Sequence, residues 1–235
     1  MRIFAAGLKR SIVVNLNIKM INFRKKFLEL RKNHINNQYD NLTPQKIISL
    51  INQRAKKPLV STSFGKYSEA LLSLLPGSAP DIPVLWVNTG FNSESTLEFV
   101  ERMKHKYKLN LIEINPSITF QEFKNKYDTF PAYGTKANDD LCNTIKVAPF
   151  RDFLSDFKPD FWFTGIRNDE TDYRSRLGVA SVFASSFFRI APFIRYSDVA
   201  MRRFMFENDL EIMLDYFDPC RPDNKECGIQ IIESL

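Results

Sequence analysis

The sequence predicts an α/β protein with a mostly parallel sheet and helices on both of its faces. Three observations lead there. Short apolar runs alternate with longer stretches whose apolar residues recur every three or four positions. Gly, Pro, Ser and Asn bound the runs, and helical stretches follow them, as in successive βα units. With 44% hydrophobic and 26% charged residues, a chain of 235 residues can fill one such core without large-scale disorder.

Residues 1–41 read as a basic arm and linker. Nine Lys and Arg stand against one acid in residues 1–32, so the rest of the chain sums to −2 within a total of +6. The positive charge belongs to the arm, and nucleic-acid binding by the body is not expected. A transit peptide has a similar composition, but one Ser and no cleavage signal favour an upstream extension ahead of Met20. A helical stretch Ile21–Arg31 follows, and disorder is expected in part of the arm. No apolar run approaches the roughly 20 residues that span a bilayer.

From there the elements come in order. Thr43 caps a helix with Pro44 at its first position and Ile47, Ile48 and Ile51 on one side. Pro58–Ser63 is a strand, Gly65 a turn and Tyr67–Leu75 a helix that Pro76-Gly77 stops. Val84–Asn88 and Leu109–Ile114 are strands around a helix over Ser95–Lys106. Ser117 is expected to cap a helix to Tyr127, and Tyr127–Leu141 reads as a loop. Ile145–Phe157 is helical, with Pro149 in or near its first turn. Phe161–Gly165 is a strand, Arg167–Arg176 a charged turn, and Val179–Phe183 with Phe187–Pro192 a hairpin. Ser197 caps Asp198–Glu207, and the tail from Leu210 has little periodicity. Residues 42–209 are thus the α/β domain and 210–235 a C-terminal tail.

Three cysteines and two histidines limit the chemistry. A disulfide scaffold, a histidine-rich metal site and a Ser–His–Asp triad are not expected, and a reducing cytoplasm is the simplest setting. Cys142 reads as a loop or helix-edge cysteine, and a regulatory disulfide from Cys220 is not expected. His34 and His105 read as surface residues.

Four constellations carry chemistry. Ser61, Thr62, Ser63, Phe64 and Gly65 open a Ser/Gly loop at a strand-to-helix turn, where hydroxyls and free amides suit a phosphate or sulfate. Neither a Walker loop nor a dinucleotide fingerprint is present. Asn88, Thr89 and Gly90 leave a strand end, where polar side chains meet a base or ribose. Thr164-Gly165-Ile166-Arg167, with Arg174 and Arg176 beyond, places guanidinium groups after a buried strand, suited to anions. Cys227 lies in an aperiodic tail before Gly228, where a thiolate can reach a substrate and then a redox partner.

In this order the motifs resemble the phosphoadenosine phosphosulfate (PAPS) reductase family, within the adenine-nucleotide α-hydrolase-like folds. That family's S-x-S-F-G, D-T-G-[YF], K-V-x-P-[FML], T-G-[IL]-R and E-C-G-[LI]-H read here as Ser61–Gly65, Asn88–Phe91, Lys146–Phe150, Thr164–Arg167 and Glu226–Gln230. The resemblance implies a Rossmann-like sheet of the PP-loop type. It also implies an adenine sulfonucleotide held by the loops, Lys146, Gly165, Arg167 and Arg174. Cys227 would attack the sulfur to give an S-sulfocysteine, and thioredoxin or glutaredoxin would release sulfite. No bound cofactor, metal or iron–sulfur cluster is expected, because the paired cluster cysteines are missing, and this favours the 3′-phosphorylated nucleotide. A homodimer is compatible with the sequence. The chain departs from the motifs at Asn88, Ala148, Asn168 and Gln230. The rival classes are a PP-loop adenylyl or sulfur transferase and a nucleotide-binding homologue that has lost turnover.

Overall fold

A computed structural model describes residues 2–116, 118–127, 129–218, 220 and 228–232, without the side chains of residues 2–19 and Phe120. Six strands form one sheet in the order β3-β2-β1-β4-β6-β5. They are β1 (Pro58–Ser61), β2 (Pro83–Val87), β3 (Asn110–Ile114), β4 (Phe161–Phe163), β5 (Ala180–Phe183) and β6 (Phe187–Ile190). Every neighbouring pair is parallel except β5 with β6. That exception is the expected hairpin, closed by positive φ at Ala184 and Ser185 and by Ser186 N–H donating to the Phe183 carbonyl at 2.9 Å.

Alternation along the strands divides the core in two. Val60, Val84, Trp86, Phe161 and Phe163 face a layer from α1 (Arg2–Tyr39), α2 (Pro44–Asn52), α3 (Ser68–Leu72), α5 (Glu94–Tyr107) and α9 (Asp198–Glu207). Leu59, Leu85 and Trp162 face Phe150 and Leu154 of α8 (Ala148–Phe157) on the other side. The helices therefore cover both faces, as the sequence predicts. The caps at Thr43 and Ser197 and the place of Pro149 in the first turn of α8 also agree.

Several details differ from the sequence reading. Residues 1–41 are not a free arm throughout: α1 continues to Tyr39, and Leu28, Ile35 and Tyr39 are buried in the larger core layer. Asn36 accepts from Ala180 N at 2.7 Å and donates to Ala180 O at 3.0 Å, so α1 satisfies the edge strand β5. Among the described side chains of this helix three widely spaced ones are buried, and that pattern is faint in the sequence.

The supposed loop Tyr127–Leu141 contains α7 (Lys136–Cys142), capped by Thr135. A π-helical segment, Asn143–Val147, joins it to α8. α6 (Phe120–Lys126) starts from a capping box of Thr119 and Glu122. The proposed cap Ser117 lies outside the described residues. After the short α4 (Leu75–Ser78) and a 3₁₀ turn at Arg174–Arg176, the last described element is a 3₁₀ turn at Gly228–Ile231. Cys142 ends α7, as the helix-edge reading has it, and forms a disulfide with Cys220, Cα to Cα 5.4 Å, against the expectation for Cys220. The tail folds back onto α7 across a separation of 78 residues, a contact that local sequence pattern does not encode.

Among the described residues, no helix is long and apolar enough to cross a membrane.

Candidate functional site

Strand order fixes where a ligand can sit. The chain builds outward from β1 to β2 and β3, then returns to place β4 on the other side of β1. Such a reversal leaves a crevice beyond the carboxyl ends of β1 and β4. A cavity of about 310 Å³ opens there, lined by the loop after β1, the loop after β4 and the returning tail. Its size suits a small ligand.

The loop after β1 is pinned by packing. Phe64 adopts a positive φ of 51°, unusual for a residue with a side chain, and is held there by complete burial. Its ring meets Trp86 and Phe99 edge-on at 5.5 and 6.3 Å. Thr62 Oγ1 accepts from Phe64 N at 3.0 Å, and Ser61 Oγ accepts from Trp162 Nε1 at 2.8 Å. Gly65 sits in tight quarters, since a Cβ there would stand 3.1 Å from Ser63 Oγ and 3.2 Å from the Tyr216 ring, so that one of them would have to shift.

Among the described residues, four cations line the cavity, each beside a carboxylate. Lys66 bonds Asp198 at 3.1 Å and Arg167 Nε bonds Asp169 at 3.0 Å. Arg174 pairs with Glu170, and Lys146 with Asp218. Both arginines are buried. Arg167 also lies 5.1 Å over the Tyr67 ring. Tyr67 donates to Asp198 at 2.7 Å, and Arg202 Nε donates to the other carboxylate oxygen at 2.7 Å. Hydrogen bonds from Arg202, then Tyr67 and Lys66, hold the Asp198 carboxyl well below the usual range. Burial first, then donation to Asp198, pushes the Tyr67 hydroxyl up. Hydrogen bonding to Tyr67 and Asp198 raises Lys66 despite its partial burial. At neutral pH these groups are an ammonium, a phenol and a carboxylate.

The predicted site residues divide. Ser61, Thr62, Ser63, Gly65, Thr89, Lys146, Gly165, Arg167 and Arg174 line one cavity. Phe64 supports the loop from behind. Asn88 turns into its own loop: Oδ1 accepts from Gly90 N at 3.1 Å and from Asn92 Nδ2 at 2.8 Å, while Nδ2 donates to Glu113 at 2.8 Å. Gly90, at φ 80°, makes the turn. Cys227, with Lys225 and Glu226, lies outside the described residues. The turn that follows it is described, and Ile229 and Gln230 line the cavity.

Sequence reasoning missed Lys66, Tyr67, Asp198, Tyr216 and Asp218 in this lining. Lys66 and Tyr67 stood inside the Ser61–Ser68 loop and were legible as neighbours. The others come from the start of α9 and the tail, with no local mark. Among the described residues, no group of three or more His, Cys, Asp or Glu is placed to hold a metal ion.

Comparison with known proteins agrees with the fold and with the family that the sequence resembles. Residues 57–218 match the family model described as the phosphoadenosine phosphosulfate reductase domain. A phosphoadenosine 5′-phosphosulfate reductase of Buchnera aphidicola is 28% identical over 196 residues, 83% of this chain and 79% of that one. One of Aliivibrio salmonicida is 28% identical over 182 residues, 77% and 72% of the two chains. Among solved structures, the phosphoadenylyl-sulfate reductase of Candida auris superposes with a TM-score of 0.66 at 19% identity. That superposition covers 77% of this chain and 87% of that one. A Candida glabrata FMN adenylyltransferase gives a TM-score of 0.51 at 16% identity, covering 78% and 58%. Both structural likenesses concern the fold.

Proposed function

The chain belongs to the phosphoadenosine phosphosulfate reductase family, and on that premise we propose that it reduces phosphoadenosine phosphosulfate to sulfite and adenosine 3′,5′-bisphosphate. The observation that carries this reading is the cavity at the sheet's reversal point. There the Ser61–Ser68 loop and the cations Lys66, Lys146, Arg167 and Arg174 share one wall with the turn after Cys227. Cations that now face carboxylates would instead face the phosphate and sulfate groups of the nucleotide. Thr89 and Asn92, in the loop after β2, would meet its nucleoside part.

In the proposed reaction the Cys227 thiolate attacks the sulfate sulfur. The S–O bond to the phosphate breaks, and its electron pair leaves with adenosine bisphosphate, whose charge the neighbouring cations offset. Cys227 then carries a sulfonate on its sulfur. A thiolate of a dithiol protein, thioredoxin or glutaredoxin, attacks Cys227 Sγ and sulfite departs with the S–S electron pair. The partner's second thiol resolves the mixed disulfide, restoring Cys227 and leaving the partner oxidised by two electrons.

The test is sulfite release by the full chain with phosphoadenosine phosphosulfate, thioredoxin and a reductant. Without reductant, mass spectrometry should find a sulfonate on Cys227 and none on Cys142 or Cys220, and Cys227→Ser should lose the adduct yet keep nucleotide binding. Arg167→Ala should weaken that binding by roughly 1.5–3 kcal/mol, the worth of a charge-assisted hydrogen bond. Tight nucleotide binding with no sulfite and no adduct would identify a binding homologue without turnover. An adduct on another cysteine would overturn the assignment of Cys227.

A further inference from the structure

Arg189 occupies an unusual place for a cation. It is the third residue of β6, an interior strand buried along its whole length, and is itself only 2% exposed. Its strand partners are Trp162 on β4 and Ser181 on β5. The side chain runs between the Phe183 and Tyr173 rings, 5.6 and 5.8 Å from their centroids. A guanidinium here loses its hydration, and an apolar side chain of similar length usually serves stability as well or better.

The hydrogen bonds show what the cation holds. Nη1 donates to both the main-chain oxygen of Gln230 at 2.9 Å and its Oε1 at 3.1 Å. Nε donates to Ser181 Oγ at 2.9 Å, which ties the guanidinium to the neighbouring strand. Tyr173 OH also donates to the Gln230 oxygen, at 3.4 Å. One nitrogen thus fixes the backbone and side chain of a single residue in the cavity wall. The other end of the same turn is fitted by shape, because a Cβ on Gly228 would stand 2.8 Å from Val147 Cγ2. Ile229 between them is buried with Leu59, Leu85 and Trp162. The turn is therefore seated on the sheet and on the π-helical segment that also carries Lys146.

We propose that Arg189 is a positioning residue that fixes the Gly228–Ile231 turn in the cavity wall, so that the residue preceding it, Cys227, is presented to the substrate sulfur. The inference rests on the proposed reduction for its kinetic consequence, but the seating of the turn does not depend on it. Arg189→Met keeps length and removes the bonds to Gln230 together with those to Ser181 and Tyr173. Arg189→Lys keeps the charge with fewer donors, and Gln230→Ala cuts one bond without altering the sheet.

The full chain and these variants are compared in three ways: steady-state kinetics with phosphoadenosine phosphosulfate, affinity for adenosine 3′,5′-bisphosphate, and hydrogen exchange of amides 228–232 with that nucleotide bound. For Arg189→Met the expected result is a kcat about 10- to 100-fold lower, the scale of a misplaced reacting group. KM and nucleotide affinity should stay within about threefold, since the binding loops are untouched, and exchange at 228–232 alone should quicken. Arg189→Lys should recover part of both effects, and Gln230→Ala should show a smaller version of them. Unchanged kcat in Arg189→Met, or loss of kcat and affinity together with no recovery in Arg189→Lys, would overturn the positioning role. Should the wild-type chain release no sulfite, the functional reading fails and exchange decides the seating alone. Faster exchange at 228–232 in Arg189→Met sustains it, and unchanged exchange removes it.

Discussion

Breaking the Cys142–Cys220 bond should cost this protein a large part of its stability. The bond closes a loop over a separation of 78 residues, from the end of α7 to the tail. Closure entropy for a loop of this length raises the free energy of the unfolded chain by about 4.5 kcal/mol, and removed native disulfides commonly cost about 2–5 kcal/mol. Both cysteines are buried against Phe123, Leu141 and Ile145, so the link replaces no solvated contact. Urea unfolding followed by circular dichroism, with and without a strong thiol reductant, measures the effect. At a slope of about 2–3 kcal/mol/M for a chain of this size, the midpoint should fall by about 1–2 M on reduction. The variant Cys142→Ala/Cys220→Ala should start near the lower midpoint and not respond to reductant. The link also sits beside the cavity: Asp218, two residues before Cys220, pairs with Lys146, four residues after Cys142. Reduction should therefore also weaken nucleotide affinity. Equal midpoints in both redox states, or an equal response of the double variant, would refute the reasoning.

Three further outcomes are expected. Asn88→Asp sets a carboxylate where Asn88 now donates to Glu113 at 2.8 Å, so it should destabilise the fold by about 0.5–1 kcal/mol. Adding Glu113→Gln should restore most of that, and a pair of mutations that merely add would exclude the contact as the cause. Deleting residues 1–19 should leave thermal stability nearly unchanged, whereas deletion through Tyr39 removes Leu28, Ile35, Tyr39 and the bonds of Asn36 and should destabilise strongly. Equal losses in a thermal melt would show that the first half of α1 carries the packing. Asp198 titrates below its ordinary value of 3.8 in the folded chain, so the stability it contributes is present above that value and is lost as pH falls through the lowered one. The stability gap between wild type and Asp198→Asn should therefore shrink on acidification below about pH 4. A gap that stays constant with pH would remove Asp198 as its source.

By itself, the sequence determined the layered α/β fold and the loops that line the cavity. Both depend on local chemistry. Short apolar runs such as Val84-Leu85-Trp86 mark strands, Thr43 and Ser197 satisfy free amides at helix starts, and Gly90 makes its turn at a positive φ. The five ordered motifs add the family because a short segment keeps its residues whatever surrounds it. Tertiary structure decided everything that joins distant segments. Arg167 and Arg174 read in sequence as candidate anion contacts in a charged turn, and the folded chain adds that both are buried, beside Asp169 and Glu170. Asn88 reads as a ligand contact, yet Glu113 on the neighbouring strand β3 claims its donor. The docking of α1, the Cys142–Cys220 link and the hold of Arg189 on Gln230 span 144, 78 and 41 residues. No periodicity of 2 or 3.6 residues extends over such distances. Contacts of this kind depend on tertiary folding, which places β6 beside β4 and brings the last described turn to the mouth opened by the first strand.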